Sequence, residues 1–226
     1  MLKSTLDRKG KLIVIDGSDG VGKATQTALL IKRLKKEKIS AKTLDFPQYR
    51  QNLFGKLIHE CLDGKHGDFI ALDPRIASTL YAADRFESKQ KIERWLREGR
   101  VVILDRYVSA NQLHQGGKIR DAKKRKEFLL WLDKIEFGVF GIPRPDSIFY
   151  LHLPTKLSLQ LIQGRGHKDL AEKNVKYLSD ARESALKLIQ NSTRWIKIDC
   201  AKQGKILPRE AIHEEIYARV KKIIRV

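Results

Sequence analysis

Cysteine is nearly absent from this sequence: Cys61 and Cys200 are the only two in 226 residues. They lie far apart and at no metal-ligand spacing, which excludes a disulfide-stapled scaffold and a zinc module. No run approaches the ~18 consecutive apolar residues of a membrane span. Met1 to Lys11 holds three lysines, one arginine and one aspartate but no apolar centre. We therefore expect no secretory signal, no membrane partner and a cytoplasmic location. Internal repeats and low-complexity segments are missing too. Acidic residues are scarce: 27 Asp and Glu face 46 Lys and Arg, a net charge of +19. That balance calls for polyanionic surroundings such as nucleotides, nucleic acid or cytosolic anions. The cations are spread along helical segments rather than gathered in an arm or interleaved with aromatics on a sheet, so no specific nucleic-acid partner is expected.

What remains is a globular composition, 42% hydrophobic and 32% charged. The length fits one domain with a sizeable core, which we place at residues 12–226 behind a basic extension, residues 1–11.

The most informative stretch is Gly17-Ser18-Asp19-Gly20-Val21-Gly22-Lys23-Ala24-Thr25, between the apolar run Leu12–Ile15 and a helical pattern that begins near Lys23. A strand, a tight turn and a helix N-terminus in that order gather backbone N–H groups and the positive end of a helix dipole around one point. Glycines let the backbone approach an anion closely, and a lysine there reaches phosphate oxygens as a mobile point charge. Gly17, Asp19, Gly20, Gly22, Lys23, Ala24 and Thr25 are thus the expected phosphate-loop residues. Such a pattern arises easily by chance in a lysine-rich chain, so its flanking strand and helix carry the reading. At the position after the lysine, where Ser or Thr commonly holds Mg²⁺, stands Ala24, which cannot ligate a metal.

Further along, Thr43–Phe46, Val101–Leu104, Ile148–Leu151 and Trp195–Asp199 read as strands, with Trp195–Asp199 the last. Helices are expected near Phe54–Leu62 and Arg75–Arg97, through Phe128, Leu129, Leu132 and Ile135, and over Thr155–Gln163 and Glu172–Gln190. A closing helix starts at Pro208, with Ala211, Ile212, Ile216, Val220, Ile223 and Ile224 on one face. Unalternating apolar runs mark strands buried on both faces, and their alternation with helices predicts an α/β fold with a central parallel sheet. One phosphate loop in a chain of this length fits a compact P-loop kinase. Residues just past a strand's carboxyl end line the ligand crevice of such sheets, which singles out Asp105 and Arg106. A mutual strand-end ion pair is the plainer alternative.

The phosphate loop, Phe46-Pro47-Gln48-Tyr49, Leu80-Tyr81-Ala82-Ala83-Asp84-Arg85, and Asp105-Arg106-Tyr107 followed by His114-Gln115-Gly116 occur in an order that resembles the thymidylate kinase family, from about Leu12 to Ile224. The resemblance implies transfer of phosphate from ATP to dTMP, giving dTDP, with Mg²⁺ as cofactor. It also implies a homodimer and a short mobile lid near residues 163–173. Lys23 would hold ATP phosphates, Arg106 the acceptor phosphate, and Asp105 would bear on Mg²⁺ directly or through water, with Thr25 nearby. Asp19 would accept from the sugar 3′-hydroxyl, and Tyr49 would approach the acceptor phosphate. Tyr81 would stack on thymine, Arg85 would read its O4 edge, and Asn111 and Gln115 would meet the base. His114 stands where the family often has tyrosine, near the 2′ position of the sugar. Arg165 and Lys168 would enter the site from the lid. Plainer alternatives are a turn residue for Asp19, a core aromatic for Tyr81, a surface amide for Gln115 and a solvated charge run for the lid. Ala24 does not argue against activity, because adenylate kinases also lack a hydroxyl directly after that lysine. Two other readings stay open: a kinase for another pyrimidine nucleoside or monophosphate, and a non-catalytic nucleotide or nucleic-acid binding protein.

Overall fold

The computed structural model describes residues 9–163 and 170–224. Its frame is a five-stranded parallel sheet in the order β2-β3-β1-β4-β5, formed by β1 (Lys11–Gly17), β2 (Ala41–Asp45), β3 (Val101–Asp105), β4 (Ser147–His152) and β5 (Trp195–Asp199). The central β1 pairs with β3 on one side, Ile15 opposite Asp105, and with β4 on the other, Gly17 opposite Leu151. Because both faces of the sheet are covered, β1 has no solvent side: Leu12 and Val14 enter one core, Ile13 and Ile15 the other.

Helices α1 (Lys23–Lys36) and α10 (Arg209–Ile224) close the second of these cores, burying Leu30, Leu34, Ile212, Ile216 and Val220. The first is closed by α4 (Lys89–Arg97), α5 (Val108–Gly117), α6 (Ala122–Asp133) and α9 (Val175–Gln190), through Trp95, Leu113, Phe128 and Ala181. A smaller cluster around Ile58, Leu62, Phe69 and Ala77 holds α2 (Leu53–Leu62) against α3 (Pro74–Glu87). Helices α7 (Thr155–Gln163) and α8 (Leu170–Lys173) flank residues 164–169, so the centre of the expected lid, with Arg165 and Lys168, lies outside the described residues. Among the described residues no helix is long and apolar enough to cross a membrane.

The local departures from the sequence pattern have physical causes. The expected helix over Arg75–Arg97 is two helices, divided at Ser88, whose hydroxyl lies 3.0 Å from the Asn52 amide nitrogen. The expected helix from Glu172 to Gln190 is divided at Asn174, whose side chain accepts from the Tyr177 N–H and caps α9. Trp195–Asp199 is not the last strand, since a two-residue hairpin, β6 (Ala201–Lys202) with β7 (Lys205–Ile206), follows it. On α10 Ala211 is exposed, while His213 and Tyr217 are buried in its place. After α6 the chain widens into a π-helical turn, Lys134–Val139, in which the Phe140 N–H bonds to the Ile135 carbonyl. The added residue per turn shifts the helical phase, so Glu136 is fully buried and Ile135 only partly so.

Candidate active site

The loop between β1 and α1 is shaped by three glycines at positive φ, Gly17, Gly20 and Gly22. At Gly17 the requirement is steric, since a Cβ would stand 2.5 Å from the Leu151 carbonyl oxygen of β4. Gly22, in the left-handed region, starts α1 with no side-chain cap and no acid in the first turn. The first N–H groups of α1 therefore remain for an anion. Ala24 and Thr25 are exposed at this end of the helix and line a cavity of about 350 Å³ that runs from the loop to Tyr177 on α9.

Lys23 folds back over the loop. Its Nζ donates to the carbonyls of Gly17 at 3.1 Å and Ser18 at 3.0 Å and lies 3.4 Å from Asp19 Oδ1. Arg106 enters from the carboxyl end of β3 in the left-handed conformation, φ 64°, which costs a residue with a Cβ about 1–3 kcal/mol. Its own N–H, bonded to the Ile15 carbonyl at 2.9 Å, secures that turn. Arg106 Nη2 donates to the same Asp19 Oδ1, and Nη1 lies 3.2 Å from His114 Nε2. Asp19 is thus the shared counter-charge of both cations. Burial works to raise its pKa, but Arg106 and Lys23 prevail and hold the carboxyl well below the usual carboxylate range. Lys23 is shifted down by burial and by Arg106, against the pull of Asp19, Asp105 and Asp16. Arg106 is shifted up, burial opposing and Asp19, Asp16 and Asp105 prevailing.

Asp105 follows β3 and lines the cavity, with its pKa raised by burial against the opposing influence of Lys23 and Arg106. Thr25 and Asp45 line the same cavity. Among the described residues no group of three or more His, Cys, Asp or Glu is arranged to hold a metal on its own. Few carboxylates with open space around them suit Mg²⁺, which keeps several of its waters.

At the far end, Arg85 is buried in a bidentate pair with Glu136, Nε to Oε2 at 3.0 Å and Nη2 to Oε1, while Nη1 donates to the Tyr107 carbonyl at 3.3 Å. Two of its five N–H groups take no partner among the described residues, and Arg85 lines the cavity. Asn111 commits its amide nitrogen to the Ser78 carbonyl at 3.1 Å and to Glu136 Oε1 at 3.2 Å, which leaves its own carbonyl as the group that can meet a base. Gln115 reaches the Tyr177 hydroxyl at 3.5 Å through Nε2, and its buried Oε1 has no hydrogen-bond partner among the described residues. Tyr81 and Tyr49 both line the cavity, Tyr81 backed by Phe69 at 5.9 Å between ring centroids and Tyr49 by His59 at 5.0 Å. Lys118, at the end of α5, donates to the Leu72 carbonyl at 3.2 Å and stands 5.8 Å from the centre of the Tyr177 ring. Ser158 on α7 donates from its hydroxyl to the Asp19 carbonyl at 2.6 Å.

Apart from Gly17, Arg165 and Lys168, every candidate residue named from the sequence lines this one cavity. Gly17 lines a smaller one behind the loop, and Arg165 and Lys168 lie outside the described residues. Sequence reasoning missed Glu136, which orients both Arg85 and Asn111, because nothing in its neighbourhood announces a π turn. It also missed Asp16, fully buried, which accepts from the Gly17 N–H at 2.8 Å and the Ser109 hydroxyl at 2.6 Å. Glu172 and Tyr177 line the cavity as well. The Asn174 cap, three residues before Tyr177, was the available signal for where α9 begins.

The sequence model of the thymidylate kinase family matches residues 15–216. A thymidylate kinase of Mycobacterium tuberculosis (strain ATCC 25618 / H37Rv) is 32% identical over 193 residues, 85% of this chain and 86% of that protein. A probable thymidylate kinase of Thermococcus gammatolerans is 35% identical over 186 residues, covering 80% and 84%. The thymidylate kinase of Plasmodium falciparum is 28% identical over 218 residues, covering 96% and 92%.

Proposed function

The chain belongs to the thymidylate kinase family, and from that premise we infer how its residues carry out the ATP-dependent phosphorylation of dTMP to dTDP. The observation that carries the assignment of roles is the convergence of Lys23 and Arg106 on Asp19 at the junction between the loop and the nucleoside end of the cavity. ATP phosphates lie over the N-terminus of α1, where Lys23 and the loop amides meet them. The dTMP phosphate approaches from the other side onto Arg106, with Tyr49 beside it. Its oxygen is already anionic, so the reaction needs no strong base. Positioning and neutralisation of the transferring charge do the work.

Asp19 keeps the two cations from repelling each other and faces the sugar. Tyr81 supplies the face for thymine, Arg85 its remaining N–H groups, and Asn111 and Gln115 their carbonyls. Gln115 Oε1, buried and without a partner among the described residues, suits a donor such as the thymine N3–H. Asp105 and Thr25 would hold Mg²⁺ directly or through water, and the ion would supply neutralisation of the ATP phosphates. Arg165 adds a further cation from residues 164–169. We place all of this in one kinase domain over residues 12–226, in the cytoplasm. Large apolar side chains exposed on α2, α3 and α6, namely Leu53 at 72%, Ile76 at 57% and Leu130 at 63%, support a homodimer.

The test is ADP release with dTMP, dUMP, UMP, AMP or CMP as acceptor. The reading expects dTMP to have the highest kcat/KM, and no turnover with dTMP would end it.

A further inference from the structure

Among the described residues Arg106 has two side-chain hydrogen-bond partners, and only one of them carries charge. A guanidinium N–H can only donate, so the 3.2 Å contact between Arg106 Nη1 and His114 Nε2 requires a lone pair on Nε2. The imidazole must then be neutral, with its proton on Nδ1. That nitrogen is buried and makes no hydrogen bond to the described residues. His114 also borders the small cavity of about 20 Å³ behind the loop, beside the Ser18 and Tyr150 side chains, a space of the size that one water needs.

The ring is fixed from the other side. His114 stacks on Tyr177 of α9, centroids 5.3 Å apart and planes 24° from parallel. A stacked ring has little freedom to turn its Nε2 away from Arg106. Asp19 alone would hold the guanidinium by one oxygen and leave it free to swing about that contact. A second, fixed acceptor removes the swing.

We propose that His114 is a positioning residue whose neutral Nε2 fixes the Arg106 guanidinium in the orientation that receives the acceptor phosphate. This rests on the assignment of Arg106 to that phosphate. It differs from a role in sensing the sugar, because His114 then acts through Arg106.

The charged and titratable groups around His114 agree with a neutral ring. Burial and the nearby cations Arg106 and Lys23 push its pKa down to about 4, against Asp19 and Asp16, with the Tyr177 phenol on its face.

Two substitutions separate the acceptor from the ring. His114→Phe keeps the stack on Tyr177 and removes the acceptor, whereas His114→Gln gives up the ring and keeps an oxygen that can accept. We expect His114→Phe to lower kcat/KM for dTMP about 10- to 100-fold while KM for ATP changes less than about twofold, and His114→Gln to recover most of the loss. In ¹⁵N-histidine-labelled wild-type protein, the His114 resonances, identified by their absence from His114→Phe, should show Nδ1 protonated and Nε2 bare from about pH 5.5 to 8. A His114→Phe enzyme within twofold of wild type, equal losses in both variants, or an Nε2-protonated ring would each overturn the proposal. The resonances report on the Arg106–His114 contact whatever the acceptor substrate proves to be. Absent dTMP turnover in the wild type would instead overturn the assignment of Arg106 and, with it, the phosphate-receiving role of the pair.

Discussion

Glu136 grips Arg85 with both carboxylate oxygens, and both side chains are almost wholly out of contact with solvent. Breaking such a pair leaves a buried charge without compensation. Glu136→Ala should lower unfolding stability by about 3–5 kcal/mol in urea titrations. Glu136→Gln preserves shape and one acceptor, so it should lose less stability. Both should raise KM for dTMP more than KM for ATP, because Arg85 and Asn111 lose a common anchor at the nucleoside end.

Lys23 and Arg106 share Asp19, and the proposed roles assign them to different phosphates. Lys23→Ala and Arg106→Ala should each reduce kcat by about 100-fold or more, the scale of removing one preorganised charge from a transferring group. Steady-state kinetics should separate them, with Arg106→Ala also weakening dTMP and Lys23→Ala weakening ATP. Near-normal turnover in Arg106→Ala would contradict the placement of the acceptor phosphate.

Chelation of divalent cations should abolish turnover, and added Mg²⁺ should restore it. Asp105→Asn removes the hard charge proposed to face Mg²⁺ without changing volume. The Mg²⁺ concentration for half-maximal rate should rise about tenfold or more, read from a metal titration at saturating ATP. An unchanged requirement would remove Asp105 from the metal's surroundings.

Lys118 gives a pH signature of its own. Burial pushes its pKa from 10.5 down to about 8, with Asp68 and Asp73 opposing. Between these values the unfolded chain holds a proton that the folded one has released, so this residue makes stability rise with pH across that window. Below about 8 both states are charged and the cost of burying the cation is fully present. Cys200 and Tyr150, both pushed up to about 12 by burial, act in the opposite direction at higher pH. The difference between wild type and Lys118→Met in urea midpoints at pH 7.5 and 9.5 should isolate the Lys118 contribution, the wild type gaining relative to the variant as pH rises.

The sheet was readable because parallel strands buried on both faces leave apolar runs, as Leu12–Ile15 and Val101–Leu104 do. The order of those strands was not readable, since hydrophobic pattern says nothing of neighbours. Among site residues, those tied to a local motif could be named in advance: Lys23 after glycines, Arg106 after a strand. Glu136 could not, because its partner Arg85 lies 51 residues away and a π turn brings it inward against the helical pattern. His114 was legible as a position in a motif, yet its hydrogen bond to Arg106 depends on the left-handed turn at Arg106, which no neighbouring glycine signals.

The bond from Ser158 to the Asp19 carbonyl ties α7 to the loop through the main chain, whereas the carboxylate of the same residue acts through charge. These are two independent handles on one amino acid. Asp19→Asn changes the electrical one and retains the mechanical one, just as Ser158→Ala does the reverse. Comparing the two variants therefore separates how the loop is held in place from how it holds its cations, at a position where a single deletion would confound them.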